Sequence, residues 1–312
     1  MPVLSEAFDS HMTQATLDQL QTVRDFIRWG ASRFNQAGLI FGHGTDNALD
    51  EAASLILHTL HLPYDLPDFY LEARLVAEEK RAVAAVIERR IETRNPAAYL
   101  TREAFLCGLK FYVDERVLVP RSPIGELLEG RFSPWLDGVA VERVLDLCTG
   151  SGCIAICCAH AFPEAQVDAV DISPSALEVA KINIRRHDME GRVRPIQSDL
   201  FEQISGRYAL IVSNPPYVSR PDWEAAAPEF KAEPKLGLES GPEGLDCVIR
   251  ILDKAADHLT DDGILVVEVG NSAEALRRRY PQVPFLWMEF ERGGEGVFLL
   301  TAEDLRRHYF SR

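Results

Sequence analysis

The segment Asn214-Pro215-Pro216-Tyr217 has the residue types needed to hold a flat nitrogen group for reaction. A carboxamide nitrogen is a poor nucleophile, because its lone pair is delocalised into the carbonyl group. To attack a methyl sulfonium, the nitrogen must therefore be held in line with the S–CH3 bond. The side-chain oxygen of Asn214 and the carbonyl of Pro215 can accept its two N–H bonds, and Tyr217 can stack on its plane. Positioning of this kind lowers barriers by up to ~7–11 kcal/mol in intramolecular models. The segment therefore predicts Asn214, Pro215 and Tyr217 as catalytic residues, and all four residues as substrate-binding.

A second segment, residues 146–155, contains glycines between a predicted strand and a predicted helix. Gly150 and Gly152 allow the backbone to approach a ligand without an intervening Cβ. Asp171 closes the next strand, 171 − 150 = 21 residues later, where a carboxylate can accept hydrogen bonds from ribose hydroxyls. The same spacing fits the dinucleotide fingerprint of an NAD enzyme. These residues predict a nucleoside-containing cofactor and leave both classes open.

Two further acidic residues complete the predicted cofactor site. Asp199 ends the third strand and can accept a hydrogen bond from an adenine amino group, while Asp146 can face an ammonium or sulfonium. The residues expected to bind the cofactor are Asp146, Thr149, Gly150, Gly152, Asp171, Ile172, Asp199 and Asn214.

Strand and helix patterns alternate along the last two thirds of the chain, which predicts an α/β fold with a mostly parallel sheet covered on both faces. The predicted strands are residues 143–147, 166–171, 192–198, 208–213, 263–269, 285–290 and 296–301. Predicted helices lie at residues 152–162, 174–187, 243–258 and 273–280. Only five residues join the last two strands, so these must be antiparallel.

The first third of the chain reads as helical. Apolar spacing predicts helices over residues 16–37, from a cap at Asp46 to about Leu60, and over residues 67–94. A hairpin that turns near Gly108 follows, and a helix begins near Pro123. We expect a helical substrate-docking domain at 1–95, a β-hairpin linker at 96–122 and the catalytic domain at 123–312.

Composition restricts the partners and the compartment. The formal net charge of −15 disfavours binding to nucleic-acid phosphates and suits a basic partner. The mean hydropathy is −0.09, and the first residues do not resemble a signal peptide, so we expect a cytoplasmic protein without a membrane segment. Cys153, Cys157 and His160 share one helical face, but they lack the spacing of a zinc site, and we expect no metal.

The two motifs together resemble the HemK-like protein-glutamine methyltransferases, a branch of the seven-stranded, Rossmann-like class I methyltransferases. The resemblance spans almost the whole chain and is greatest for the branch that acts on the large-subunit ribosomal protein L-three. The segments that resemble the family include residues 41–47, 111–124, 148–155 and 267–272. It implies S-adenosyl-L-methionine as the cofactor, a basic ribosomal protein as the substrate, free or in an assembly intermediate, and an N-terminal helical domain. Ala232 and residues 238–244 depart from the family pattern, which affects the expected substrate contacts.

Four alternatives remain open from the sequence. A sister enzyme would methylate a glutamine of a release factor, and a related class would methylate an exocyclic amine of a nucleic-acid base, which poses the same planar problem. An NAD dehydrogenase would have no use for Asn214, and a non-catalytic binding module would not need Tyr217 beside it. The acidic composition and the helical first third argue against the nucleic-acid enzyme.

Overall fold

The computed structural model describes residues 14–308, and the chain divides into two compact units, Met1–Thr101 and Arg102–Arg312. The division lies after residue 101, and the hairpin of the expected linker belongs to the second unit. Within the described residues, no helix is both long and apolar enough to cross a membrane.

The first unit is helical, as the sequence predicted. Its helices are α1 (Gln14–Gln19), α2 (Val23–Gln36), α3 (Ala48–Thr59), α4 (Ala77–Thr93) and α5 (Ala97–Thr101), with a 3-10 turn at Asp68–Glu72. Their apolar faces form one core that includes Phe26, Phe34, Leu55, Ile56 and Ile87.

Three predictions of helix boundaries in this unit were wrong. The helix predicted over residues 16–37 is divided, because the Thr22 hydroxyl and the Asp25 carboxylate cap each other's backbone N–H groups and begin a new helix. The helix predicted over residues 67–94 starts only at Ala77, since Arg74 is drawn into an extended bridge with Thr22. Asn47, and not Asp46, caps the helix between them.

The second unit is an α/β sandwich around a seven-stranded sheet. It begins with the hairpin β1 (Ala104–Leu106) and β2 (Leu109–Phe111), which turns at Gly108 as predicted. The sheet strands are β3 (Arg143–Leu147), β4 (Gln166–Asp171), β5 (Val193–Gln197), β6 (Tyr208–Ser213), β7 (Leu259–Glu268), β8 (Leu286–Trp287) and β9 (Val297–Thr301). The helices are α6 (Ile124–Glu129), α7 (Cys153–Ala161), α8 (Pro174–Arg186), α9 (Arg220–Ala225), α10 (Pro228–Lys231), α11 (Asp246–His258), α12 (Ala273–Arg279) and α13 (Ala302–Arg307), with 3-10 turns at Lys235–Gly237 and Gly270–Ser272.

The strand order is β5-β4-β3-β6-β7-β9-β8, with β9 antiparallel to both of its neighbours. The predicted antiparallel pair is confirmed, although β8 has two residues where the sequence predicted six. Apolar side chains alternate between the two faces of the sheet: Val144 joins one core cluster, and Leu145 and Leu147 join the other. The chain runs from β3 outward to β5 and then returns to β6 on the other side of β3, which creates a crevice at the carboxyl ends of β3 and β6.

Candidate functional site

A cavity of about 400 Å³ lies in the second unit, at the carboxyl ends of the parallel strands. Its walls come from the segments that follow β3, β4, β5 and β6, together with residues 116–122 and the loop before α11. Five of the predicted site residues, at or after the ends of β3 to β5, line it together with Asn214 and one proline. These are Thr149, Gly150, Asp171, Ile172, Asp199, Asn214 and Pro216. A volume of this size suits a small-molecule ligand.

The glycine loop is fastened to the end of β4 by one carboxylate. Asp171 Oδ2 accepts a hydrogen bond from the Gly150 N–H at 2.9 Å, and its Oδ1 accepts one from the Ser173 N–H at 2.9 Å. Burial raises the pKa of the Asp171 carboxyl, yet each oxygen keeps a lone pair for a further donor. Gly150 has a φ of +54°, and a Cβ there would meet no atom within 4 Å. Backbone, open space and carboxylate together fit the ribose of a nucleoside.

Asp146 lies beneath the loop and does not line the cavity. Its Oδ2 accepts hydrogen bonds from the Thr149 hydroxyl at 2.5 Å and from the Ala155 N–H at 3.0 Å. Its Oδ1 is buried and has no hydrogen-bond partner among the described residues. Gly152 also lies outside the cavity lining; its φ of +78° and its packing against Ala180 shape the start of α7. The structure therefore gives both residues a supporting position under the predicted binding loop.

The buried Asp146 predicts a pH-dependent difference in stability. Burial raises the pKa of the Asp146 carboxyl to about 7, well above the 3.8 of an exposed carboxyl, so the folded state holds its proton more tightly than the unfolded state. The Asp146 contribution to stability is therefore present at low pH and is lost as pH rises from 3.8 to about 7. We expect the melting temperature of Asp146→Asn to rise relative to that of the native chain as the pH increases from about 4 to about 7, and the difference to stay constant above that. Thermal unfolding without cofactor measures this, and a difference independent of pH would contradict the assignment.

Asp199 is paired with an arginine side chain in the wall of the cavity. Its Oδ2 lies 2.9 Å from the guanidinium of Arg250 on α11, and both residues line the cavity. Ile172 is an exposed apolar residue beside it, at the end of β4. The remaining lone pairs of Asp199 are compatible with the expected adenine contact, and Arg250 is a neighbour that the sequence did not reveal, since about fifty residues of chain separate the two.

Asn214 lies at the carboxyl end of β6, where the sequence placed it. Its side chain is partly exposed and lines the cavity, whereas its Oδ1 is buried without a hydrogen-bond partner among the described residues. An unpaired buried amide oxygen is costly unless a ligand supplies the donor. Pro215 is buried and does not line the cavity, and Pro216 does. Asn214 thus brings one unpaired acceptor atom to the wall of the cavity, close beneath its surface.

The ring of Tyr217 is held against the turn that follows β7. Its hydroxyl donates a hydrogen bond to Glu268 Oε1 at 3.0 Å, and its ring lies so close to Gly270 that a Cβ there would be 2.6 Å from a ring carbon. Tyr217 is absent from the described lining of the cavity. Stacking of this ring on a flat amide therefore stays a prediction from the sequence.

Several residues at the site escaped the sequence interpretation. Ser122 donates a hydrogen bond to Glu268 at 2.6 Å. Arg121 forms a bidentate pair with Glu233, in which each N–O distance is 2.7 Å. Glu268 is a single acid in the apolar run of β7, which is the one sequence signal that could have identified it. The loop at residues 238–244, which departs from the family pattern, also lines the cavity through Glu239, Ser240 and Gly241.

Comparison with known proteins assigns the chain to a family. Residues 133–243 match the family described as Methyltransferase small domain. The ribosomal protein uL3 glutamine methyltransferase of Xanthomonas campestris pv. campestris is 52% identical over 298 residues, 95% of this chain and 96% of that protein. The protein of the same name from Neisseria meningitidis serogroup B is 52% identical over 295 residues, 94% of this chain and 97% of that protein.

A solved structure supports the fold alone. The catalytic domain of hMettl16, in complex with the MAT2A 3'UTR hairpin 6, has a TM-score of 0.50 and 16% identity and covers 69% of this chain and 81% of that chain. The fold is the predicted one, a seven-stranded α/β methyltransferase sheet with an antiparallel strand, and the NAD dehydrogenase alternative is set aside by the relatives. From 52% identity along nearly the entire length, the chain belongs to the family of ribosomal protein uL3 glutamine methyltransferases.

Proposed function

We propose that this chain transfers a methyl group from S-adenosyl-L-methionine to the side-chain amide nitrogen of a glutamine in ribosomal protein uL3. The observation that carries the proposal is the vacant, buried oxygen of Asn214, which borders the cavity beside the nucleoside-binding residues. The names of the relatives support uL3 as the substrate. Because ribosomal proteins are made in the cytosol, we place the reaction there.

The residues at the cavity fit the cofactor. Asp171 would hold the ribose hydroxyls, Gly150 would allow close approach of the backbone, and Asp199 would accept from the adenine amino group. The unpaired Oδ1 of Asp146, beneath the loop, would favour a cation at that end. When bound, S-adenosyl-L-methionine supplies an electrophilic methyl group.

The chain's own contribution is to orient the nucleophile. Asn214 Oδ1 accepts one N–H of the glutamine amide, and we assign the other N–H to the carbonyl of Pro215. Pro215 and Pro216 restrict the backbone and so hold both acceptors in place. Bound S-adenosyl-L-methionine would supply the methyl group to the nitrogen so oriented, and the nitrogen would give up its proton to water. Acceptors aimed at the nitrogen also favour the positive charge that develops there.

The experiment is methylation of purified uL3 by the purified chain, followed by tandem mass spectrometry. We expect one added methyl group, on a glutamine side chain. A parallel reaction offers a release factor and ribosomal RNA as acceptors. A methyl group found in either of these, with none in uL3, would refute the proposed substrate.

We further propose that the helical unit docks the substrate, through an exposed aromatic turn. None of the five residues of Asp68–Glu72, all of which the structure describes, is buried. Phe69 is 68% exposed and Tyr70 is 51% exposed, with ring centroids 4.1 Å apart. Glu72 is paired with Arg24 at 2.7 Å, and Asp65 and Asp68 give the turn an acidic character, which complements a basic ribosomal protein. Exposed aromatic residues of this kind are typical anchors of protein interfaces.

Replacing both rings should therefore weaken substrate binding. We expect Phe69→Ala with Tyr70→Ala to raise the KM for uL3 by about tenfold or more, with kcat and cofactor affinity unchanged. Leu49→Ala is the matched control, since Leu49 is a 54% exposed apolar residue of the same unit outside the turn. Steady-state kinetics with varied uL3 measure the effect, and equal KM values for the two variants would contradict docking at this turn.

A further inference from the structure

The buried carboxylate of Glu268 lies beside the reactive segment. The register of β6 and β7 pairs Ser213 with Val267, so the residues that follow these two, Asn214 and Glu268, lie at the same edge of the sheet. Glu268 is only 5% exposed. An acid at this position does not help the apolar core, because burial of a charge costs free energy that a leucine would avoid.

Two hydroxyl groups from distant parts of the chain converge on this carboxylate. Tyr217 donates to Oε1 at 3.0 Å, and Ser122 donates to Oε2 at 2.6 Å. Ser122 belongs to the segment of residues 116–122, which lines the cavity. Burial raises the pKa of both the Glu268 carboxyl and the Tyr217 phenol. The carboxylate therefore connects the Asn214 segment to this second lining segment.

Tyr217 is held by its backbone and ring as well as by its hydroxyl. Its carbonyl oxygen accepts a hydrogen bond from the Ser272 hydroxyl at 2.7 Å. A Cβ at Gly244 would lie 2.1 Å from the same oxygen, and a Cβ at Gly270 would meet the ring. The turn after β7 is thus fitted around Tyr217, and the tyrosine is a fixed point three residues from Asn214.

We infer that Glu268 is a positioning residue for methyl transfer: through the Tyr217 hydroxyl it fixes the Asn-Pro-Pro segment and so aims Asn214 Oδ1 at the substrate nitrogen. The inference rests on the proposed function. Two prolines between the anchored tyrosine and Asn214 leave few backbone torsions free, so a displacement of Tyr217 is transmitted to the amide. In this role Tyr217 acts through Asn214, and its ring lies outside the described lining of the cavity.

The test compares Tyr217→Phe with a matched control, Tyr208→Phe. Tyr208 is a buried tyrosine at the other end of β6 whose hydroxyl donates to Asp168 at 2.7 Å. We expect Tyr217→Phe to lower kcat by about 10- to 100-fold, the scale of a small misplacement of a reacting group, with cofactor affinity unchanged. Tyr208→Phe should lower thermal stability to a similar degree and leave kcat unchanged.

Variants of the acid separate position from charge. Glu268→Gln keeps the shape and an acceptor oxygen, so it should retain most of kcat, whereas Glu268→Ala should lose about as much as Tyr217→Phe. The double variant Tyr217→Phe with Glu268→Ala should be no slower than Glu268→Ala alone, since both changes break one connection. Additive losses, or a native kcat in Tyr217→Phe, would overturn the inference.

A crystal structure of Tyr217→Phe tests the same connection without any substrate. We expect the Asn214 side chain to be displaced relative to its position in the native chain, and an unmoved Asn214 would refute the positioning role. By contrast, failure of the native chain to methylate uL3 would refute the proposed function and leave the structural outcome to decide on Glu268.

Discussion

Asn214→Ala is expected to reduce the rate of methyl transfer by about two to three orders of magnitude, the scale of losing one group that stabilises charge in the transition state. The alanine removes Asn214 Oδ1, a buried side-chain oxygen at the edge of β6 that has no hydrogen-bond partner among the described residues. Without this oxygen, the amide nitrogen, a poor nucleophile, is no longer held in line with the methyl group. Single-turnover kinetics with saturating cofactor measure the chemical step directly.

The control for this variant is the cofactor. Asn214 is only one of the residues expected to bind it, and the contacts of Asp171 with Gly150 and Ser173 do not involve Asn214, so calorimetry should show the dissociation constant changing far less than the rate. Asn214→Asp keeps an acceptor oxygen at the same place and should retain more activity than the alanine variant. If Asn214→Ala transferred methyl groups at the native rate, the assigned role of this side chain would be wrong.

The parts of the site that the sequence predicted are those set by short-range rules. Short apolar runs that alternate with helical patterns identified the strands, and the carboxyl end of each parallel strand then placed Asp171, Asp199 and Asn214 at one edge. Gly150 needs a positive φ within a local turn, so its role also follows from a few neighbouring residues. For these residues a one-dimensional pattern carries enough information.

Side-chain directions depended on contacts that the sequence does not display. The ring of Tyr217 points toward Gly270 and Glu268, about fifty residues further along the chain, and no local pattern distinguishes this from a ring over the substrate. The same holds for Asp146. Its side chain lies beneath the loop because it accepts hydrogen bonds from the Thr149 hydroxyl and from an N–H group in the first turn of α7. The helix break at Thr22 was missed for a different reason: apolar periodicity continued through a capping box that starts a second helix.

Asp171→Ala is expected to weaken cofactor binding by about a hundredfold or more. Each hydrogen bond to a charged group is worth about 1.5–3 kcal/mol, so losing two from the ribose costs about 3 kcal/mol or more. The variant also releases the Gly150 and Ser173 N–H groups, so part of the loss comes from the loop itself. Calorimetry with S-adenosylhomocysteine measures the total effect.

A second ligand separates these two contributions. An analogue that lacks one ribose hydroxyl should bind the native chain more weakly than S-adenosylhomocysteine, because one acceptor site on Asp171 is then unused. In Asp171→Ala the two ligands should bind almost equally, since the hydroxyl has lost its partner, whereas damage to the loop would weaken both ligands alike and preserve their ratio. An unchanged ratio would mean that Asp171 only fastens the loop and that another group holds the ribose. Methyl transfer at saturating cofactor should recover in this variant, because Asn214 and its surroundings are intact, and this separates the binding role of Asp171 from the orienting role of Asn214.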